Sequence, residues 1–155
     1  MATKKVTTEV VFRLKGIEIL DERLESHPND MDEIKLFNFT VNVEQKINSE
    51  KKLVICAVEV LITSGKDNSL FLGSIKVGCI FEIENFELFY NYKTNKVSFP
   101  KTFESNMILI SMSTTRGVMF SQFKGTYLHN AFLPVIAINS FVLNKNVPQA
   151  PQPEK

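Results

Sequence analysis

The sequence predicts an α+β domain: a four-stranded antiparallel sheet with helices packed on one face. Three observations carry this. Four stretches place apolar residues at every second position, which is the alternation of side chains across the two faces of a strand. All four precede a single long helical pattern. The links between the last three hold turn residues and are too short for crossover helices. Strands gathered ahead of helices indicate α+β rather than α/β.

The first strand lies within Lys5 to Leu20, where Val6, Val10, Phe12 and Leu14 share one parity and the phase changes beyond Gly16 to Ile17 and Ile19. A glycine at a phase change predicts a β-bulge, because the extra residue often takes a backbone conformation that other side chains disfavour. Next comes an acidic connection, Asp21 to Glu33, with a His27-Pro28-Asn29-Asp30 turn. It is long for a hairpin, and that length permits the first strand to cross to a non-adjacent position.

The second strand sets Phe37, Phe39, Val41, Val43 and Ile47 against Asn38, Thr40, Asn42, Glu44 and Lys46, so it is half solvated. The third alternates Val54, Cys56, Val58, Val60 and Ile62 with a face that is also mostly apolar. The fourth does the same with Phe71, Ile75, Val77, Cys79, Phe81 and Ile83. Asn48 to Lys51 and Ser64 to Asn68 carry turn chemistry, which predicts consecutive hairpins. One helix cannot cover both faces of such a sheet, so the surplus apolar surface is expected to meet another subunit or a client.

After Glu84 an aromatic segment (Phe86, Phe89, Tyr90, Tyr92) leads to a polar turn, and Pro100 opens a helix expected to reach about Lys124. Gly125 suits a left-handed cap, and Lys124 complements the helix dipole. Ile108, Met112, Thr115, Met119 and Phe123 form one stripe. Ser111, Thr114 and Ser121 keep much of the remainder small, which allows close helix approach. Asn139 to Lys145 is expected to form a short second helix. The domain is expected to span 1–146, with a disordered tail at 147–155 rich in proline and glutamine.

Composition limits the chemistry. Lys plus Arg number 18 against 17 Asp plus Glu, a net charge of +1, so the basic excess that phosphate-backbone binding requires is missing and no nucleic-acid partner is expected. No stretch approaches the roughly 20 apolar residues that cross a bilayer, and no signal peptide is visible, so no membrane insertion and a cytoplasmic location are expected. Cys56 and Cys79 sit in strands without CxxC spacing and read as reduced, buried thiols. His27 and His129 lack metal-binding spacing, and Asp30-Met31-Asp32-Glu33 lacks the central glycine and closing glutamate of a calcium loop. There is no nucleophile elbow or phosphate-cradling glycine loop. No enzyme activity, cofactor or metal is expected. Ser113-Thr-Thr-Arg-Gly117 falls within the helix, where backbone donors are already used, and reads as an interface segment in which Arg116 pairs with a carboxylate.

Val11-Phe-Arg-Leu-Lys-Gly-Ile17 with Asp21 and Glu25, Phe71-Leu72 followed by Gly78-Cys-Ile-Phe81, and Thr115-Arg116-Gly117, Lys124-Gly-Thr-Tyr127, Leu133-Pro134-Val135 and Asn139-Ser-Phe141 together resemble the SecB family of protein-export chaperones, in order and spacing. The resemblance covers about Val10 to Phe141. It implies an ATP-independent holding chaperone for unfolded polypeptides, assembled as a homotetramer (a dimer of dimers) that passes clients to the SecA translocase. By position it implies client binding at Leu24, Phe37, Phe39, Val41, Val43, Phe132, Val135 and Phe141, and translocase contact at Asp21, Glu25 and Leu72. With the helix stripe, it implies an oligomer interface at Met112, Thr115, Arg116 and Met119.

Ser74 stands where the SecB translocase surface carries an acid, and the tail lacks the family's acidic ending. A SecB-like chaperone serving a toxin-antitoxin module is therefore an alternative, and a non-catalytic adaptor is another. A hotdog-fold thioesterase would also combine a curved sheet with a long helix, but its helix comes early in the chain.

Overall fold

The computed structural model describes residues 8–26 and 36–137, and the backbone of 144–146. It contains β1 (Phe12–Leu24), β2 (Asn38–Asn48), β3 (Leu53–Ser64), β4 (Leu70–Ile83), a 3-10 turn (Phe86–Leu88), a two-residue hairpin of β5 (Tyr90–Asn91) and β6 (Lys96–Val97), α1 (Lys101–Gln122), and β7 (Asn144–Asn146). The expected α+β architecture is present. The main sheet runs β1-β4-β3-β2-β7. β2, β3 and β4 are consecutive antiparallel hairpins, and β1 crosses over to pair antiparallel with β4.

Register assigns the faces. Phe39, Val41, Val43, Gln45 and Ile47 of β2 lie opposite Ile62, Val60, Val58, Cys56 and Val54 of β3, and β3 continues this face into Gly73, Ile75, Val77, Cys79 and Phe81 of β4. On β3 and β4 every side chain of this set beyond glycine is wholly buried. They form the core with Phe103, Met107, Ile108, Ser111, Met112, Thr115 and Met119 of α1. The apolar periods of 2 and 3.6 therefore meet at one layer boundary, and burial of these side chains is the main stabilising term, at about 1.5–3 kcal/mol for each large one.

At the N-terminal end of α1, aromatic rings interlock. Phe12 meets Phe81 and Phe103 edge-on at 5.9 and 5.0 Å, and Phe99 lies 4.8 Å from Phe103 and 6.2 Å from Phe86. Pro100 caps the helix, and at its other end Phe123 N–H donates to the Met119 carbonyl before Gly125 turns left-handed (φ 79°), as the sequence anticipates.

The bulge at Gly16 is present, with Leu14 opposite Phe81 and Gly16 opposite Ile80. A second one, unforeseen, falls between Ile19 and Asp21. The expected reason for the glycine does not hold: Gly16 has no left-handed backbone, and a Cβ there would sit 3.6 Å from Ile80 Cδ1, an ordinary contact. Gly73 is the constrained one. A Cβ on it would meet the Arg23 carbonyl oxygen at 2.7 Å and Leu128 Cδ1 at 2.9 Å, so the absence of a side chain lets β1 and the post-helix turn close over β4.

The expected helix at Asn139 to Lys145 is corrected in its described part. Asn144 and Lys145 belong to β7, paired in parallel with Glu44 and Gln45. Asparagine is a poor helix former, and an unpaired strand edge offers its backbone partners instead. Phe141, His27, the Asp30 to Glu33 cluster and the 147–155 tail lie outside the described residues.

Candidate functional site

One row of register partners, Leu24 of β1, Gly73 of β4, Ile62 of β3 and Phe39 of β2, marks the end of the sheet where β1 finishes and β2 starts. At the usual strand spacing Leu24 and Phe39 lie about 14 Å apart, at opposite edges. The turn after α1 closes this end. Tyr127 Oη lies 2.6 Å from the carbonyl oxygens of both Glu25 and Leu72, and the Glu25 N–H donates to the same Leu72 carbonyl at 3.0 Å. Burial, and after it the nearby Glu25 carboxylate, pushes the Tyr127 phenol above its usual range, so it acts as a neutral hydrogen-bond donor.

Arg116 anchors the segment beyond. Its Nε donates to the Leu133 carbonyl at 2.8 Å and an Nη to the Pro134 carbonyl at 3.1 Å. The partners are carbonyls of its own chain, in place of the carboxylate that the sequence suggested. Held in this way, Leu133 points into the core, while Phe132 and Val135 stand 57% and 92% exposed. Phe132 stacks on Phe120 of α1 at 6.2 Å, and His129 lies 5.8 Å from the same ring with a buried, unpaired Nδ1. Leu24 and Leu36 are also exposed here. The result is an aromatic and aliphatic surface on a pinned backbone.

The sequence-derived residues divide clearly. Leu24, Phe132 and Val135 are exposed and sit at this end. Phe37, Phe39 and Val41 are half-buried against the core, and Val43 is inside it. Asp21 is exposed and Glu25 half-buried, whereas Leu72 is wholly buried and presents nothing to a partner. Met112, Thr115 and Met119 face their own sheet, and the Thr115 hydroxyl donates to the Ser111 carbonyl at 2.8 Å. The helix face left free is Leu109, Ser113, Gly117 and Phe120. A Cβ on Gly117 would touch nothing within 4 Å, so no contact among the described residues explains this glycine.

Sequence reasoning missed two features. Leu14, Ile17 and Ile19 of β1 are 43–48% exposed although the register puts them on the core face, and Leu20 on the other face is 47% exposed. Gln45, by contrast, stands on the core face of β2 at 1% exposure with neither side-chain nitrogen nor oxygen paired. An unpaired buried amide costs about 1–3 kcal/mol. A polar residue breaking the Phe39-Val41-Val43-Ile47 series was the available signal.

Cys56 and Cys79 are register partners, both free and buried. Burial pushes the Cys56 thiol up to about 11, tempered by the Ser111 hydroxyl, and raises Cys79 in the same way. Such thiols are poor nucleophiles at neutral pH. Among the described residues no group of three or more His, Cys, Asp or Glu is placed to hold a metal ion, and no helix is long and apolar enough to cross a membrane.

No family model matches the chain, and no curated protein matches it. Among solved structures it is similar to a SecB-like chaperone of Mycobacterium tuberculosis, in complex with a peptide from an antitoxin, at 5% identity and a TM-score of 0.49, covering 81% of this chain and 85% of that one. It is also similar to a protein of unknown function from Streptococcus agalactiae at 10% identity and a TM-score of 0.37, covering 76% and 90%. At this level of likeness, function has to be argued from the chain's own surface.

Proposed function

We propose that this protein is a nucleotide-independent holding protein that self-associates through β1 and the Leu109, Ser113 and Gly117 stretch of α1 and binds unfolded polypeptides at the end of the sheet closed by Tyr127. The observation that carries the reading is the exposure of Leu14, Ile17, Ile19, Leu20 and Leu24 along one strand, together with Phe120 at the end of α1 and Phe132 and Val135 beyond it. Monomers that remain alone rarely expose so many large apolar side chains in series.

β1 has no partner on its outer edge among the described residues, so its backbone is free for a second copy. Its charged residues and two bulges restrict which strand fits. Leu109, Ser113 and Gly117 give a helix surface with one large residue beside two small ones, suited to close packing of another helix. A homotetramer built as a dimer of dimers uses both surfaces. The Phe120, Phe132 and Val135 surface then remains for clients, in several copies per assembly. At roughly 25 cal/mol per Å2, a few hundred Å2 at each copy holds a long chain by avidity.

Handover to SecA is the weaker branch, because Leu72 is buried and the remaining contacts reduce to Asp21 and Glu25. That burial favours a client retained for its own sake, as an antitoxin is, over an exported precursor in transit. The test is suppression of aggregation of a chemically unfolded, unrelated protein without ATP. Suppression near equimolar ratio is expected, and no effect at several-fold excess would sink the reading in favour of an adaptor bound to one permanent partner.

A further inference from the structure

We propose that β7 is a displaceable strap: residues 144–146 occupy the outer edge of β2 in place of an extended client segment, which pairs with that edge once the strap leaves. This rests on the holding function above and adds where and how the client's main chain is read.

The geometry of β2 points to it. β2 is eleven residues long, Asn38–Asn48, and pairs along its whole inner edge with β3. On its outer edge β7 pairs only with Glu44, Gln45 and Lys46, leaving the stretch from Asn38 to Val43 without a strand partner among the described residues. The pairing is parallel, which is the less stable arrangement per residue, and it is short. An incoming extended segment paired antiparallel with β2 would gain the more stable arrangement at the three positions the strap gives up.

Gln45 supplies the second, independent observation. It lies opposite Lys145 in the β2–β7 register, at the centre of the strap, with its amide buried and both polar atoms unpaired. The strap therefore leaves a donor and an acceptor unused at the position it covers. A client side chain with an amide or hydroxyl at that register lies within reach of the Gln45 amide, because cross-strand neighbours share a face. Elsewhere along the edge one face offers Phe39, Val41 and Val43, and the other Thr40, Asn42 and Glu44. The segment that fits alternates apolar and polar residues, with one polar interruption on its apolar face opposite Gln45.

The experiment uses the full chain and a permanently unfolded probe, a reduced and alkylated protein labelled for anisotropy. Asn144→Pro with Asn146→Pro removes backbone donors and the extended pairing geometry from the strap, and is expected to tighten probe binding about threefold or more, since the competent fraction rises. Lys46 and Asn146 are register partners, so Lys46→Cys with Asn146→Cys places two thiols at disulfide-forming distance. The oxidised lock is expected to weaken binding, and reduction to restore it. Unchanged or weaker binding by the proline variant, or a lock without effect, overturns the strap while the holding function stands. Absence of binding by the wild type, the proline variant and the reduced lock overturns both.

Discussion

β1 and β3 are strands of one sheet with the same apolar alternation, yet β3 is buried on one whole face while β1 keeps Leu14, Ile17 and Ile19 nearly half exposed on that same face. Residue choice does not separate them. A helix with its side chains is about 10 Å across, and strands lie about 4.8 Å apart, so one helix shelters roughly two strands. α1 lies over β3 and β4. β1 meets the helix at Phe12, against Phe103, and runs out from under it beyond, and β2 is fully buried only at Val43 and Gln45. The contrast separates residues that fold the monomer from residues that give it something to bind.

The strongest challenge to that contrast is a matched truncation. Ile75→Ala on β4, in the core, is expected to lower unfolding free energy by about 2–5 kcal/mol in urea titrations. Ile19→Ser on β1 should change it by no more than about 0.5 kcal/mol at concentrations where the protein is monomeric, while lowering the assembly mass in light scattering. A large loss of monomer stability from Ile19→Ser would return β1 to the core.

Glycines on the two paired strands sharpen the same point. Gly73→Ala on β4 forces contacts at 2.7 and 2.9 Å and is expected to cost about 1–3 kcal/mol. Gly16→Ala on β1 has room and should be neutral or stabilising by roughly 0.5 kcal/mol. Thermal melts of both variants decide it.

The buried thiols of β3 and β4 give a pH signature that β1 lacks. Cys56 titrates at about 11 in the folded chain against an ordinary 9.0. The raised folded value means its contribution to stability is complete below pH 9 and is lost as pH rises toward 11, at about 1.4 kcal/mol per pH unit within that window. Cys56→Ala should flatten that decline in urea titrations repeated from pH 8 to 11.

The smallest effect concerns α1. Gly117→Ala is expected to raise monomer stability by up to about 1 kcal/mol through helix propensity alone. Lower assembly mass in that more stable variant is the expected mark of a helix-packing surface, and unchanged mass would remove Gly117 from it.

The hairpins, core face and helix caps were legible because they follow from periods of 2 and 3.6 and from turn residues that act locally, whereas the pairing of β1 with β4 and the strand β7 rest on contacts distant in sequence. Which apolar stripe would stay exposed was not, since it depends on where a single helix comes to rest. Met112, Thr115 and Met119 read equally well as interface or core until the register of α1 over β3 and β4 is known. Leu72 matched a surface by position and proved to be buried beneath the Tyr127 turn, whose bonds to Glu25 and Leu72 join residues far apart in sequence. Leu24, Phe132 and Val135, expected at a client surface, are exposed, whereas Phe120, which stacks on Phe132, escaped notice because it lies off the apolar stripe of α1.

The most direct measurement is titration of a labelled, permanently unfolded protein with the wild type and with Phe120→Ser/Phe132→Ser, without nucleotide. Saturable binding by the wild type is expected, weakened roughly tenfold in the variant, a loss of about 1.4 kcal/mol, with mass and thermal midpoint preserved. No saturable binding by the wild type, or equal affinity in the variant, would contradict the account.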